Sequence, residues 1–179
     1  PDKELLTLAK QGRLQDTETL PRQIERLLKD PKSRRFVEAF ASEWLGFKSL
    51  GKSVRPDAKV FPEYSTDLND AAKLEAIMMI EDLFQSNKSL LSLIDSNYSF
   101  VNERLATHYG LKGVAGDELR LVKLNNPNSG GLMGMTAILA STSNPGRTNP
   151  VNRGLWVFEK LLGQHMAMPP ADVPSLPEN

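Results

Sequence analysis

The sequence predicts a mainly α-helical single domain, a bundle around one central buried helix at about 66–86. Three observations carry this. Residues 66–86 place Leu68, Ala72, Leu74, Ile77, Met78, Met79, Ile80, Leu83 and Phe84 around nearly the whole circumference of a helix. Apolar residues recur at helical spacing through most of the remaining chain. Only one stretch, Glu118 to Leu124, alternates convincingly as a strand, so at most one small strand pair is expected.

Each element has its own local reason. "PDKELLTLAKQG" sets Pro1 and acidic residues at a helix start and Gly12 at its stop. "DTETLPRQIERLLKD" offers Asp16 or Thr17 as cap, puts Leu20, Ile24, Leu27 and Leu28 on one face, and ends before Pro31. Phe36, Val37, Phe40, Trp44 and Leu45 form a stripe read as core. Gly51, Pro56 and Pro62 make residues 51–64 the longest loop, and Ser65 caps the central helix. "SLLSLIDSNYSF" reads as a short helix and a turn. Asn102 caps "ERLATHYG", which Gly110 closes. "LMGMTAILAS" is a helix of small residues. Asn149 caps a last helix with Pro150 at its first position, running to Leu162. Residues 164–179 form an extended, proline-spaced tail.

Composition narrows the function. The 179 residues carry 22 Lys+Arg against 22 Asp+Glu, so no charge excess calls for nucleic acid or an anionic membrane. No apolar run is long enough for a membrane span. With no cysteine, disulfides, thiolate metal sites and covalent haem attachment within these residues are excluded. The chain opens on a helix start without an initiator Met, which reads as a segment of a longer protein.

Candidate sites are few. "SGGLMG" superficially resembles a phosphate-binding turn, but it lacks a Gly-Lys-Ser/Thr ending and a following ribose-binding acid, so close helix packing explains it better. Glu75, Glu81 and Asp82 are weak catalytic candidates. Glu75 and Asp82 share a face, with Glu81 turned aside, and paired acids could serve a glycosidase-type reaction on polysaccharide. The commoner role of a buried carboxylate is an ion pair with arginine. His108 and His165 are the only histidines and could contact a ligand, but they lack zinc-helix spacing, and no metal site is expected. No serine sits in a nucleophile elbow.

The stretch "TSNPGRTNPVNRGLWVFEKLLG" holds the sharpest signal. Its Asn-Pro pairs are turn and cap chemistry, but Arg147 and Arg153 lie where a helix start disfavours cations. They need an anion. It is either internal, from Glu75, Asp82 or Glu103, or the carboxylate or phosphate of a ligand. Arg147, Asn149 and Arg153 are therefore the candidate anion- or propionate-binding set.

"PDKELLTLAKQGRL", "FPEY", "YSFVNERLATHYGL", "GGLMGMTAILASTSNPGRTNPVNRGLWVFEKLLG" and "PPADVPSLPEN" resemble, in that order, two families of bacterial domains of unknown function, DUF1592 and DUF1588, of planctomycete-type proteins. Residues that match the pattern include Glu75, Glu81, Asn102 to Leu105, His108, Tyr109, Arg147, Pro150, Arg153, Gly154 and Trp156. The resemblance implies an exported, extracytoplasmic parent associated with c-type cytochrome segments. It implies haem c on an adjacent segment just beyond the tail, and a helical module ancillary to electron transfer with no cofactor of its own. A carboxylate-dependent enzyme and a protein–protein docking domain are the alternatives. Where relatives carry a long proline run after "LLG", this chain reads "QHMAMPPADVP", which makes His165 and Met166 departures from the pattern.

Overall fold

The computed structural model describes residues 2–126 and 130–166 of the chain. The tail expected at 164–179 therefore falls mostly outside the described residues. Among those residues, seven α-helices and one antiparallel strand pair make up the fold: α1 Lys3–Lys10, α2 Thr19–Lys29, α3 Ser33–Trp44, α4 Thr66–Gln85, β1 Tyr98–Val101, α5 Glu103–His108, β2 Arg120–Lys123, α6 Thr136–Ser141 and α7 Pro150–Trp156. Mainly helical architecture with one small strand pair is as the sequence predicts.

Helix α4 is the axis. Ser65 Oγ accepts from Leu68 N at 3.1 Å and opens it. Leu68, Ala72, Ala76, Met79, Ile80 and Leu83 are buried along it, and α3, α5, α6 and β1 all pack against it. Small residues allow the closest approach: Ala72 and Ala76 on α4 and Ala137 on α6 are each 0% exposed. The chain's two tryptophans then tie α3 to the last helix reciprocally. Trp156 Nε1 donates to Leu45 O at 2.8 Å, and Trp44 Nε1 donates to Lys160 O at 2.9 Å.

Several local expectations are corrected. Helix α2 begins at Thr19 without a side-chain cap, because Asp16 and Thr17 belong to the preceding turn. Phe36 and Phe40 are exposed rather than core, and in that stripe only Val37 and Leu45 are buried. The last three residues of "SLLSLIDSNYSF", with Val101, are strand β1, paired with β2 from Tyr98↔Lys123 to Val101↔Arg120. Strand pairing overrides the local pattern there because β1 lies across α4, against which Ser99 and Val101 are buried. "LMGMTAILAS" is split into a 3-10 turn, Leu132–Gly134, and α6. Helix α7 ends at Trp156 and continues as a π-helical turn, Val157–Leu161.

The glycine pair after β2 serves packing. A Cβ on Gly130 would lie 1.6 Å from Ser96 O, and Gly131 N donates to Ser96 Oγ at 2.9 Å. Backbone against backbone is what the missing side chain permits.

Candidate functional site

The acids of α4 are all partnered within the protein. Glu75 is 1% exposed, and Ser99 Oγ and Tyr109 Oη donate to its two oxygens, the latter at 2.7 Å. Tyr109 Oη in turn accepts from Thr136 N at 2.9 Å, which links α4, α5 and α6 through one phenol. Burial pushes the Glu75 carboxyl up to about 7, against the two hydrogen bonds that favour its charged form. The same burial, with Glu75 beside it, raises the Tyr109 phenol. Asp82 lies two turns along the same face and accepts from Lys88 Nζ at 2.7 Å and Tyr98 Oη at 2.8 Å. Glu81 points elsewhere, to Arg34 of α3 at 3.4 Å. None of the three reaches Arg147 or Arg153, and Glu103 is also occupied, accepting from Gly116 N at 2.7 Å. The expected ion pairs between these acids and the arginines do not form. Glu75, Glu81 and Asp82 lie along the middle and C-terminal half of α4, toward β1 and α3, whereas the arginines stand near its N-terminal end.

That end of α4 borders a cavity of about 270 Å³. Its walls are Leu68, Asn69 and Ala72 of α4, Thr136, Leu139 and Ala140 of α6, the loop 51–64, and the turn before α7. The turn is "NPGR": Asn144 N donates to Arg147 O at 3.0 Å, with Pro145 and Gly146 at the two central positions. Asp57 N donates to Pro145 O at 2.7 Å and fastens the loop to that turn. The lining is mainly apolar, with Val54 and Phe61 added by the loop and Leu50 by the residue before it. Into this setting Arg55, Arg147, Arg153 and His108 bring positive or ionisable groups, against the single acid Glu63.

Arg153 is the most constrained of them. It is half-buried; its Nε is buried with no hydrogen-bond partner, and one terminal nitrogen makes a long contact of 3.4 Å to Ser143 Oγ. Arg147 is exposed at the rim. Among the described residues no carboxylate lies within ion-pair distance of Arg55, Arg147 or Arg153. Asn149 does other work. Its Oδ1 accepts from Asn152 N at 3.0 Å, capping α7, and its Nδ2 donates to Asn144 Oδ1 at 3.2 Å.

Of the sequence candidates, then, Arg147, Arg153 and His108 meet at one cavity, while His165 is exposed after the π-helical turn. Sequence reasoning missed Asn69, Arg55 and Phe61. Asn69 carried a signal: a short amide is a poor helix-interior residue, and this one sits among buried apolar positions of α4. Among the described residues no group of three or more His, Cys, Asp or Glu side chains is placed to hold a metal ion. No helix there is long and apolar enough to cross a membrane.

The family model described as "Protein of unknown function (DUF1592)" matches residues 1–111. The chain belongs to this family. Residues 129–179 match a second model, "Protein of unknown function (DUF1588)". The cavity lies across these two matched segments, with α4 and the loop 51–64 from the first and α6 and the arginine turn from the second. No curated protein and no solved structure matches the chain.

Proposed function

We propose that this chain is a non-catalytic binding module of a longer, exported protein, and that its cavity receives a carboxylate carried on an apolar body. The observation that carries this reading is Arg153. A half-buried guanidinium with an unpartnered Nε, no acid in reach and apolar walls around it is costly unless an anion completes it. The resemblance supplies one carrier of such a group, a propionate of haem c held by an adjacent segment, and with it an ancillary role in electron transfer.

Binding is favoured over carboxylate-dependent catalysis because Glu75 is sealed by Ser99 and Tyr109, and Asp82 is held by Lys88 and Tyr98. A glycosidase acid must face its scissile bond. A docking role draws on a different feature, the exposed rings of Phe36 and Phe40, stacked 5.9 Å apart. Loss of a larger species in gel filtration after Phe36→Ser and Phe40→Ser together would support that role.

Calorimetric titration of the full-length protein with 4-methylpentanoate tests the binding reading. Binding in the wild type, weakened about ten-fold or more in Arg153→Met, is the expected result. Absence of binding, or equal binding by the variant, contradicts it. A haem potential unchanged by Arg153→Met would remove haem as the carrier.

A further inference from the structure

Apart from the cavity, helix α3 carries a row of aromatic rings that the described residues leave largely uncovered. Phe36, Phe40 and Trp44 recur every four residues, so they line one face over about 12 Å of helix. Phe36 and Phe40 are 56% and 39% exposed, with ring centroids 5.9 Å apart. Trp44 continues the row at 5.3 Å from Phe40, and Phe84 of α4 flanks it at 6.2 Å from Phe36. Single apolar residues are common on a surface, but a contiguous row of rings marks a place where something binds.

The described chain ends beside this row. Trp44 Nε1 donates to Lys160 O, so the chain approaches its last described residue, Met166, from the Trp44 end. Residues 167–179 follow, with prolines at 169, 170, 174 and 177, the last two forming a P-x-x-P sequence. Such sequences favour the polyproline II helix, in which residues three apart share a face about 9 Å apart. Aromatic-lined grooves recognise that helix because it loses little freedom on binding. At about 3.1 Å per residue, Pro169 to Pro177 covers about 25 Å, more than the row requires.

We infer that the aromatic row of α3 is the docking site of this chain's own residues 167–179, which run from Trp44 toward Phe36. Charge agrees with that direction. Glu38 and Glu43 of α3 are paired with Arg34 and Lys48. Arg35, beside Phe36, is exposed, and among the described residues no carboxylate lies within ion-pair distance of it. Residues 167–179 carry two acids, Asp172 and Glu178, and no base, and Glu178 directly follows Pro177. Attachment a few residues away gives the segment an effective concentration on the order of millimolar, which favours it over a separate proline-rich partner.

A free peptide of residues 167–179, titrated calorimetrically into the full-length protein, tests this. It should bind the variant in which Pro169, Pro170, Pro174 and Pro177 are all replaced by serine. Wild type, whose own segment holds the row, should bind it about ten-fold or more weakly. Adding Phe36→Ser and Phe40→Ser to the proline variant should abolish binding, and both rings are exposed, so the buried core stays intact. Equal binding to wild type and the proline variant, or binding to neither, overturns the inference. Binding that survives Phe36→Ser and Phe40→Ser also overturns it. So does a larger wild-type species in gel filtration that these two substitutions dissolve, because a second copy then covers the row.

Discussion

The centre of the bundle and its corner solve the same electrostatic problem in opposite ways. Glu75, at the middle of α4, is buried with both oxygens met by hydroxyl donors that the fold itself supplies. Arg153, at the start of the last helix, is half-buried with a bare Nε and no acid within reach. Both oxygens of the first have partners among the described residues, whereas the second has only the long contact to Ser143. A polar group whose hydrogen bonds close internally holds a core together, whereas one left open inside an apolar cavity marks where something else binds.

The largest effect should come from the closed centre. With its carboxyl raised from 4.5 to about 7, Glu75 holds its proton more tightly in the folded state than in the unfolded chain. That contribution is complete below pH 4.5 and lost as pH rises to about 7. Glu75→Gln should therefore flatten the pH dependence and leave the variant up to about 3 kcal/mol more stable than wild type at pH 8, by urea unfolding. Tyr109→Phe comes next. It strips a donor from Glu75 and an acceptor from Thr136 N, and should cost about 1–3 kcal/mol in the same assay.

The corner should behave in the opposite sense. Without ligand, Arg153→Met removes a poorly satisfied cation and keeps most of the packing, so stability should hold or rise by roughly 1 kcal/mol. A loss of several kcal/mol would mean that Arg153 is a structural partner like Glu75. The smallest effect belongs to the surface: Arg34→Ala breaks the contact with Glu81 and should cost less than about 1 kcal/mol.

Much of the fold was legible because α4 carries its signals locally. Ser65 caps it, and apolar residues on nearly every side declare it central. Strand β1 was not legible, since four residues of "YSFV" have too few alternations to stand out and are defined by pairing with β2 much further along the chain. Phe36 and Phe40 misled, because a helical stripe records which residues share a face and not whether a neighbour covers it. At the site, Arg147 and Arg153 were visible as cations in the wrong place along a helix. Their lack of internal partners was not visible, because which acid reaches which base depends on how α6 packs on α4 and how the last helix is tied to α3. Asn69 shows the same limit: its identity is local, but its packing against Gly51 belongs to the folded chain.

A crystal structure of the full-length protein grown with 4-methylpentanoate tests the central claim most directly. The expected result is carboxylate oxygens within about 3 Å of the Arg153 guanidinium, with the isobutyl group against Leu68 and Leu139. An Arg153 paired instead with an acid of the protein, beside a vacant cavity, would contradict it.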